Sequence, residues 1–133
     1  MLKQWGRLLA RVQRVTGKRV AEVSLAWVTP AAIRSLNRRY LSHDRVTDVL
    51  SFTYQARSPV AGELVMCPAQ ARQQAREHKH SLANELELLF VHGLLHLLGY
   101  DHERLKQRQR MRRLEQDSLG RSNTLIKRSH AAN

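Results

Sequence analysis

Cysteine is almost absent from this sequence, with Cys67 the single one in 133 residues. No intrachain disulfide can form, and a reducing interior is the expected setting. Long apolar runs are missing too. Glu87, His92 and His96 break the most apolar stretch, far below the ~18 uninterrupted residues that a membrane span needs. No membrane partner is therefore expected. Proline and glycine are scarce, at three and six, while apolar residues make up 42%. That balance excludes a disordered basic tail and predicts a chain with a real core. The remaining shortage is of acid: 11 Asp and Glu face 23 Lys and Arg, a net charge of +12. So large an excess points to a polyanionic partner.

The excess is uneven. Residues 104–133 carry nine Lys and Arg against Glu115 and Asp117, so more than half the net charge lies in the last quarter of the chain. The first 21 residues hold six basic residues and no acid, superficially like an organelle transit peptide. However, Leu2, Trp5, Leu8, Leu9, Val12 and Val15 recur at helical spacing, which favours a core-facing first helix. Length and pattern together predict a single domain over residues 1–120, followed by a weakly ordered basic tail over 121–133.

Along the chain, Gly17 marks a break, and alternation over Val23, Leu25 and Trp27 predicts a strand. Thr29-Pro30 reads as an N-cap with proline in the first turn, opening a helix to about Tyr40. Thr47–Tyr54 and Gly62–Cys67 read as two strands joined as a hairpin. Pro68 opens a polar helix to about Lys79. Ser81 caps an apolar helix that runs to Leu98, with Gly99 as its left-handed stop. A last helix spans Glu103–Leu119, with Leu105, Met111, Leu114 and Leu119 partly inward and Gly120 as its end. This order predicts an α+β fold, a small mixed sheet covered by helices, with the apolar helix central.

That central helix carries the chemistry. His92 and His96 stand four apart, so both imidazoles project from one face about a turn apart. Gly99 then lets the chain reverse, so that His102 can return as a third ligand. Three imidazoles suit one Zn2+ ion, with nickel, copper and iron open to the same ligands, and leave a fourth position for water. Burying them unpaired in so apolar a segment would cost several kcal/mol. The spacing matches the metzincin peptidase pattern except that Gly93 stands where those enzymes place their general base.

The segment His92-Gly-Leu-Leu-His-Leu-Leu-Gly-Tyr-Asp-His102 resembles the signature of the YbeY family, bacterial zinc-dependent endoribonucleases of ribosomal RNA maturation. Two upstream segments are similar to that family's pattern as well. One is Leu36-Asn37 followed by Tyr40, Asp44 and Thr47-Asp-Val-Leu-Ser-Phe52; the other is Gly62-Glu-Leu-Val65. The resemblance runs from about Trp5 to Leu119. It implies one zinc ion held by His92, His96 and His102, a cytoplasmic location, and action on small-subunit ribosomal RNA or the ribosome rather than DNA. Asp101 becomes a candidate proton acceptor or histidine-orienting residue. Arg38 and Arg39 become candidate phosphate contacts, because the arginine that the family commonly carries after the tyrosine is Leu41 here. The family usually begins with an extra strand, whereas this sequence opens on its first helix, and the basic segment Arg104–Arg113 departs from the family's often acidic last helix. Two other functions suit parts of the pattern. One is an RNA- or ribosome-binding module with a structural zinc, which would need Cys67, His78 or His80 to complete the metal sphere. The other is a metallohydrolase of peptides or esters, which Gly93 disfavours.

Overall fold

Three strands form one mixed sheet in a computed structural model that describes residues 2–100 and 105–120. The elements in chain order are α1 (Leu2–Thr16), β1 (Val20–Trp27), α2 (Pro30–Leu41), β2 (Val49–Gln55), β3 (Val60–Met66), α3 (Pro68–Glu77), α4 (Leu82–Leu97) and α5 (Leu105–Leu119). The sheet order is β1-β3-β2. β2 and β3 pair antiparallel as the expected hairpin, whereas β1 pairs parallel with β3, Leu25 opposite Leu64. The fold is thus α+β with a small mixed sheet, as the pattern predicts.

Alternation along the strands divides the core in two. Val49 of β2 and Val60, Leu64 and Met66 of β3 join the larger cluster, which includes Leu88, Leu89, Leu94 and Leu95 of α4. Leu50 and Val65 face the other way and meet Ile33 of α2. The two helices therefore lie on opposite sheet faces. α4 is buried almost all round, packed against α1, α3, α5, β2 and β3. Two glycines let it come so close. A Cβ on Gly93 would lie 2.8 Å from Leu64 Cδ2, and one on Gly62 would lie 2.6 Å from both Leu97 Cδ2 and the Phe52 carbonyl oxygen.

Local capping follows the sequence. Thr29 Oγ1 accepts from the Ala32 N–H and Ser81 Oγ accepts from the Asn84 N–H, each satisfying an orphan donor of a first turn. α4 ends in a Schellman turn: the Gly99 N–H donates to His96 O and the Tyr100 N–H to Leu95 O, with Gly99 at φ +96. Boundaries differ where pairing is non-local. β1 begins at Val20 rather than Val23, because parallel pairing extends it to Val60. Thr47 and Asp48 precede β2 instead of opening it; Asp48 is buried and accepts from the Val49 N–H at 2.8 Å. Cys67 ends no strand, being the residue ahead of α3. α5 keeps Met111 and Leu119 buried and Leu114 half-buried, and Gly120 stops it at φ +67. The tail expected from Arg121 lies outside the described residues. Among the described residues, no helix is long and apolar enough to cross a membrane.

Candidate metal centre

The site begins with the helical period. On α4, His92 and His96 face one another, with their two Nε2 atoms 3.0 Å apart and the rings edge to face at 4.6 Å. His92 is buried and His96 is half-buried. Behind His92, its Nδ1 meets Glu115 Oε2 of α5 at 2.5 Å, and the carboxylate is buried as well. Against an ionised carboxylate, which only accepts, Nδ1 is the donor and the Nε2 lone pair is left on the side of His96. Two forward Nε2 atoms, one ring fixed from behind by a carboxylate, fit the donor geometry of a histidine metal site and its outer partner. His102 and Asp101 lie outside the described residues.

Local sequence pattern does not single out Glu115 and offers Asp101 as the proton acceptor or histidine-orienting residue. A signal was present. Met111, Glu115, Ser118 and Leu119 form one buried stripe on an otherwise basic helix, and an acid in such a stripe needs a partner. The opposite face of α5 exposes Arg108, Arg110, Arg112 and Arg113. The basic helix therefore stands directly against the histidine pair.

Gly93 also gains a physical reading. Its Cα faces Leu64 across the helix–sheet contact, and its carbonyl accepts from Ser51 Oγ at 3.1 Å. A glutamate at this position would point into the core and not at the histidines.

Arg38 and Arg39 are exposed on the last turn of α2, and Arg39 lies 5.8 Å from the Tyr40 ring. They start from the sheet face opposite α4. Beside them an open aromatic groove is lined by Leu36, Tyr40, Phe52, Tyr54 and Val65. Tyr54 donates to Glu63 Oε1 at 2.9 Å, and this bond, followed by burial and the Glu63 charge, holds its phenol above the ordinary range. Arg34 and Asp44 form an exposed pair at 2.8 Å, and the hydrogen bond from Arg34 holds the Asp44 carboxyl below the usual carboxylate range.

The alternative ligands fare differently. Cys67 is buried in the α2-side core with Ile33, Leu50 and Val65, a small core residue remote in packing from α4. His78 and His80, at the end of the polar helix α3, have side chains only 14% and 9% exposed. They converge on Glu85 of α4, and the three form a group whose ligand atoms lie within 4.8 Å of one another and could hold a metal ion. The reason they escape the sequence pattern is that a turn, not a helix face, brings them together.

The fold and the paired imidazoles define a small α+β protein with a histidine centre on its central helix. Residues 2–123 match the sequence profile of the family described as Endoribonuclease YbeY. The chain is 48% identical over 111 residues to the Endoribonuclease YbeY of Pelotomaculum thermopropionicum, covering 77% of this chain and 73% of that one. It is 41% identical over 112 residues to that of Heliobacterium modesticaldum, covering 74% and 68%. In structure it is similar to the solution structure of TM1509 from Thermotoga maritima, with a TM-score of 0.57 and 28% identity over 90% of this chain and 81% of that one. The chain belongs to the YbeY family of endoribonucleases.

Proposed function

We propose that this chain is a zinc-dependent endoribonuclease directed at single-stranded RNA. In this reading it acts in the cytoplasm on ribosomal RNA, in maturation of the 16S 3′ end and in ribosome quality control. The single observation that carries the metal-dependent reading is the pair of Nε2 atoms 3.0 Å apart with a buried carboxylate behind one ring. Family membership supports the RNA substrate, and the exposed arginines on the outer face of α5, the helix that carries Glu115, support a phosphate-bearing one.

His92 and His96, with His102, would hold the zinc. A zinc ion bound there supplies Lewis-acid polarisation of a phosphoryl oxygen. Glu115 fixes the tautomer and the ring plane of His92, so that its Nε2 stays directed forward. The exposed arginines on the outer face of α5 bind the phosphate backbone beyond the centre. Arg38 and Arg39 take phosphates further along a strand that crosses the β2 edge. Gly93 supplies no proton acceptor, and Asp101, next to His102 in sequence, is the candidate for that role or for orienting a histidine.

The test is incubation of zinc-loaded wild-type and His92→Ala protein with single-stranded and structured ribosomal RNA fragments, and with DNA of the same sequence. We expect cleavage of single-stranded RNA alone. The variant should lose more than the roughly 10–100-fold that removal of an outer partner costs. Equal cleavage by the two proteins would overturn the assignment. Binding should weaken with salt at a slope of about −0.7 per phosphate contacted on a single strand.

A further inference from the structure

Three donor atoms outside the His92 centre converge on one point. His80 Nε2 lies 2.5 Å from Glu85 Oε1, and His78 Nδ1 lies 3.6 Å from the same oxygen. The Glu85 side chain is fully buried, and His78 Nδ1 is a buried nitrogen with no hydrogen-bond partner. A proton on His80 would satisfy the contact to Glu85, yet it leaves His78 Nδ1 buried with its hydrogen bond unmade. A cation bound among the three atoms satisfies them all.

The backbone is shaped for this convergence at a cost. α3 closes in a Schellman turn, with the Lys79 N–H donating to Arg76 O and the His80 N–H to Ala75 O. The left-handed position, which usually holds glycine, is Lys79 at φ +58. A residue with a Cβ is strained in that conformation. That turn sets the two histidines on the same side of Lys79, with their rings 5.7 Å apart.

We propose that His78 Nδ1, His80 Nε2 and Glu85 Oε1 form a second site for a divalent transition ion of the zinc class. Two imidazoles and a carboxylate are a normal zinc donor set, with water as the fourth ligand. The residual exposure of both imidazoles gives the ion and that water a path. Glu85 precedes His92 by seven residues on one helix, which is about 10.5 Å along the axis. Paired catalytic metals stand ~3.5–4 Å apart, so the two ions do not share a substrate atom. The second ion is structural and clasps the α3–α4 turn onto α4.

The test uses the full chain stripped by chelator and titrated with zinc, read by metal stoichiometry in native mass spectrometry and by Tm. Wild type should bind two equivalents. The His92→Ala/His96→Ala chain should bind one, with a zinc-dependent rise in Tm of about 10 °C at a hundredfold excess over Kd. Adding His78→Ala to that chain should abolish both, and His78→Gln serves as the milder variant if His78→Ala unfolds. X-ray absorption of the zinc-loaded double variant should show two imidazoles and oxygen donors. No zinc bound by the folded double variant, or unchanged stoichiometry on losing His78, would overturn the proposal.

Discussion

Helix α4 carries a histidine–carboxylate pair near each end, and the two are assembled in opposite senses. Near its start the helix supplies the acid, Glu85, while the preceding turn brings the imidazoles. Near its end the helix supplies the imidazoles, while α5 brings the acid, Glu115. The carboxylate stands among the converging donors in the first case and behind one of them in the second. A carboxylate among the donors is itself a ligand and ties the turn to the helix. A carboxylate behind a ring directs it and leaves the forward positions for chemistry. Both clusters also border a Schellman turn, with strained Lys79 in the first and unstrained Gly99 in the second.

Substitutions that separate stability from activity would break or sharpen this contrast. The largest effect is expected for Glu85→Ala. It should cost about 3 kcal/mol, the lower end for breaking a buried pair, in urea unfolding of the metal-free chain, with kcat at the His92 centre unmoved. Glu115→Gln should do the reverse. It should weaken zinc binding at the His92 centre by roughly 10–100-fold in competition with a chelator, with little change in the unfolding midpoint. A matching loss of stability in both variants would erase the distinction.

Smaller effects probe what holds the helix in place. Gly93→Ala should destabilise by about 1 kcal/mol, because overpacking against Leu64 costs ~1–3 kcal/mol and the gain in helix propensity returns about 1. Chemical unfolding of this variant measures the balance. The smallest effect is expected at the exposed Arg34–Asp44 pair. Asp44 has a folded pKa below its unfolded value, so its contribution is present above about pH 4 and is lost as pH falls through the lowered folded value. Comparing acid unfolding of wild type with Asp44→Asn checks that sign; a contribution that grew on acidification would contradict it.

How much could be read without the structure follows from the same contrast. His92 and His96 lie at one helical spacing inside an apolar run, so local periodicity exposes them, and Thr29-Pro30, Ser81 and Gly99 mark their helix ends by capping chemistry that acts over three or four residues. The partners were hidden by distance. Glu115 reaches His92 across 23 residues, and nothing local reports that α5 docks there. His78 and His80 look like polar helix-end residues until the αL turn at Lys79 aims them at Glu85. β1 was read short at its start for a related reason. Its pairing with β3 crosses α2 and β2, so the hydrogen bonds that extend it to Val20 have no counterpart in its own alternation.

The first helix carries a consequence of another kind. Trp5 of α1 stacks on Phe90 of α4 at 4.7 Å and lies 5.8 Å from Trp27, tilted by 50°. These are the two tryptophans of the whole chain. The tryptophan fluorescence and the near-ultraviolet circular dichroism of these two indoles therefore report on one joint, where α1 meets α4 and the end of β1. Any ligand, ion or substitution that shifts α1 relative to the end of β1 will change the surroundings of both rings and so both signals. The molecule thus contains its own optical gauge for the seating of α1, readable without a label.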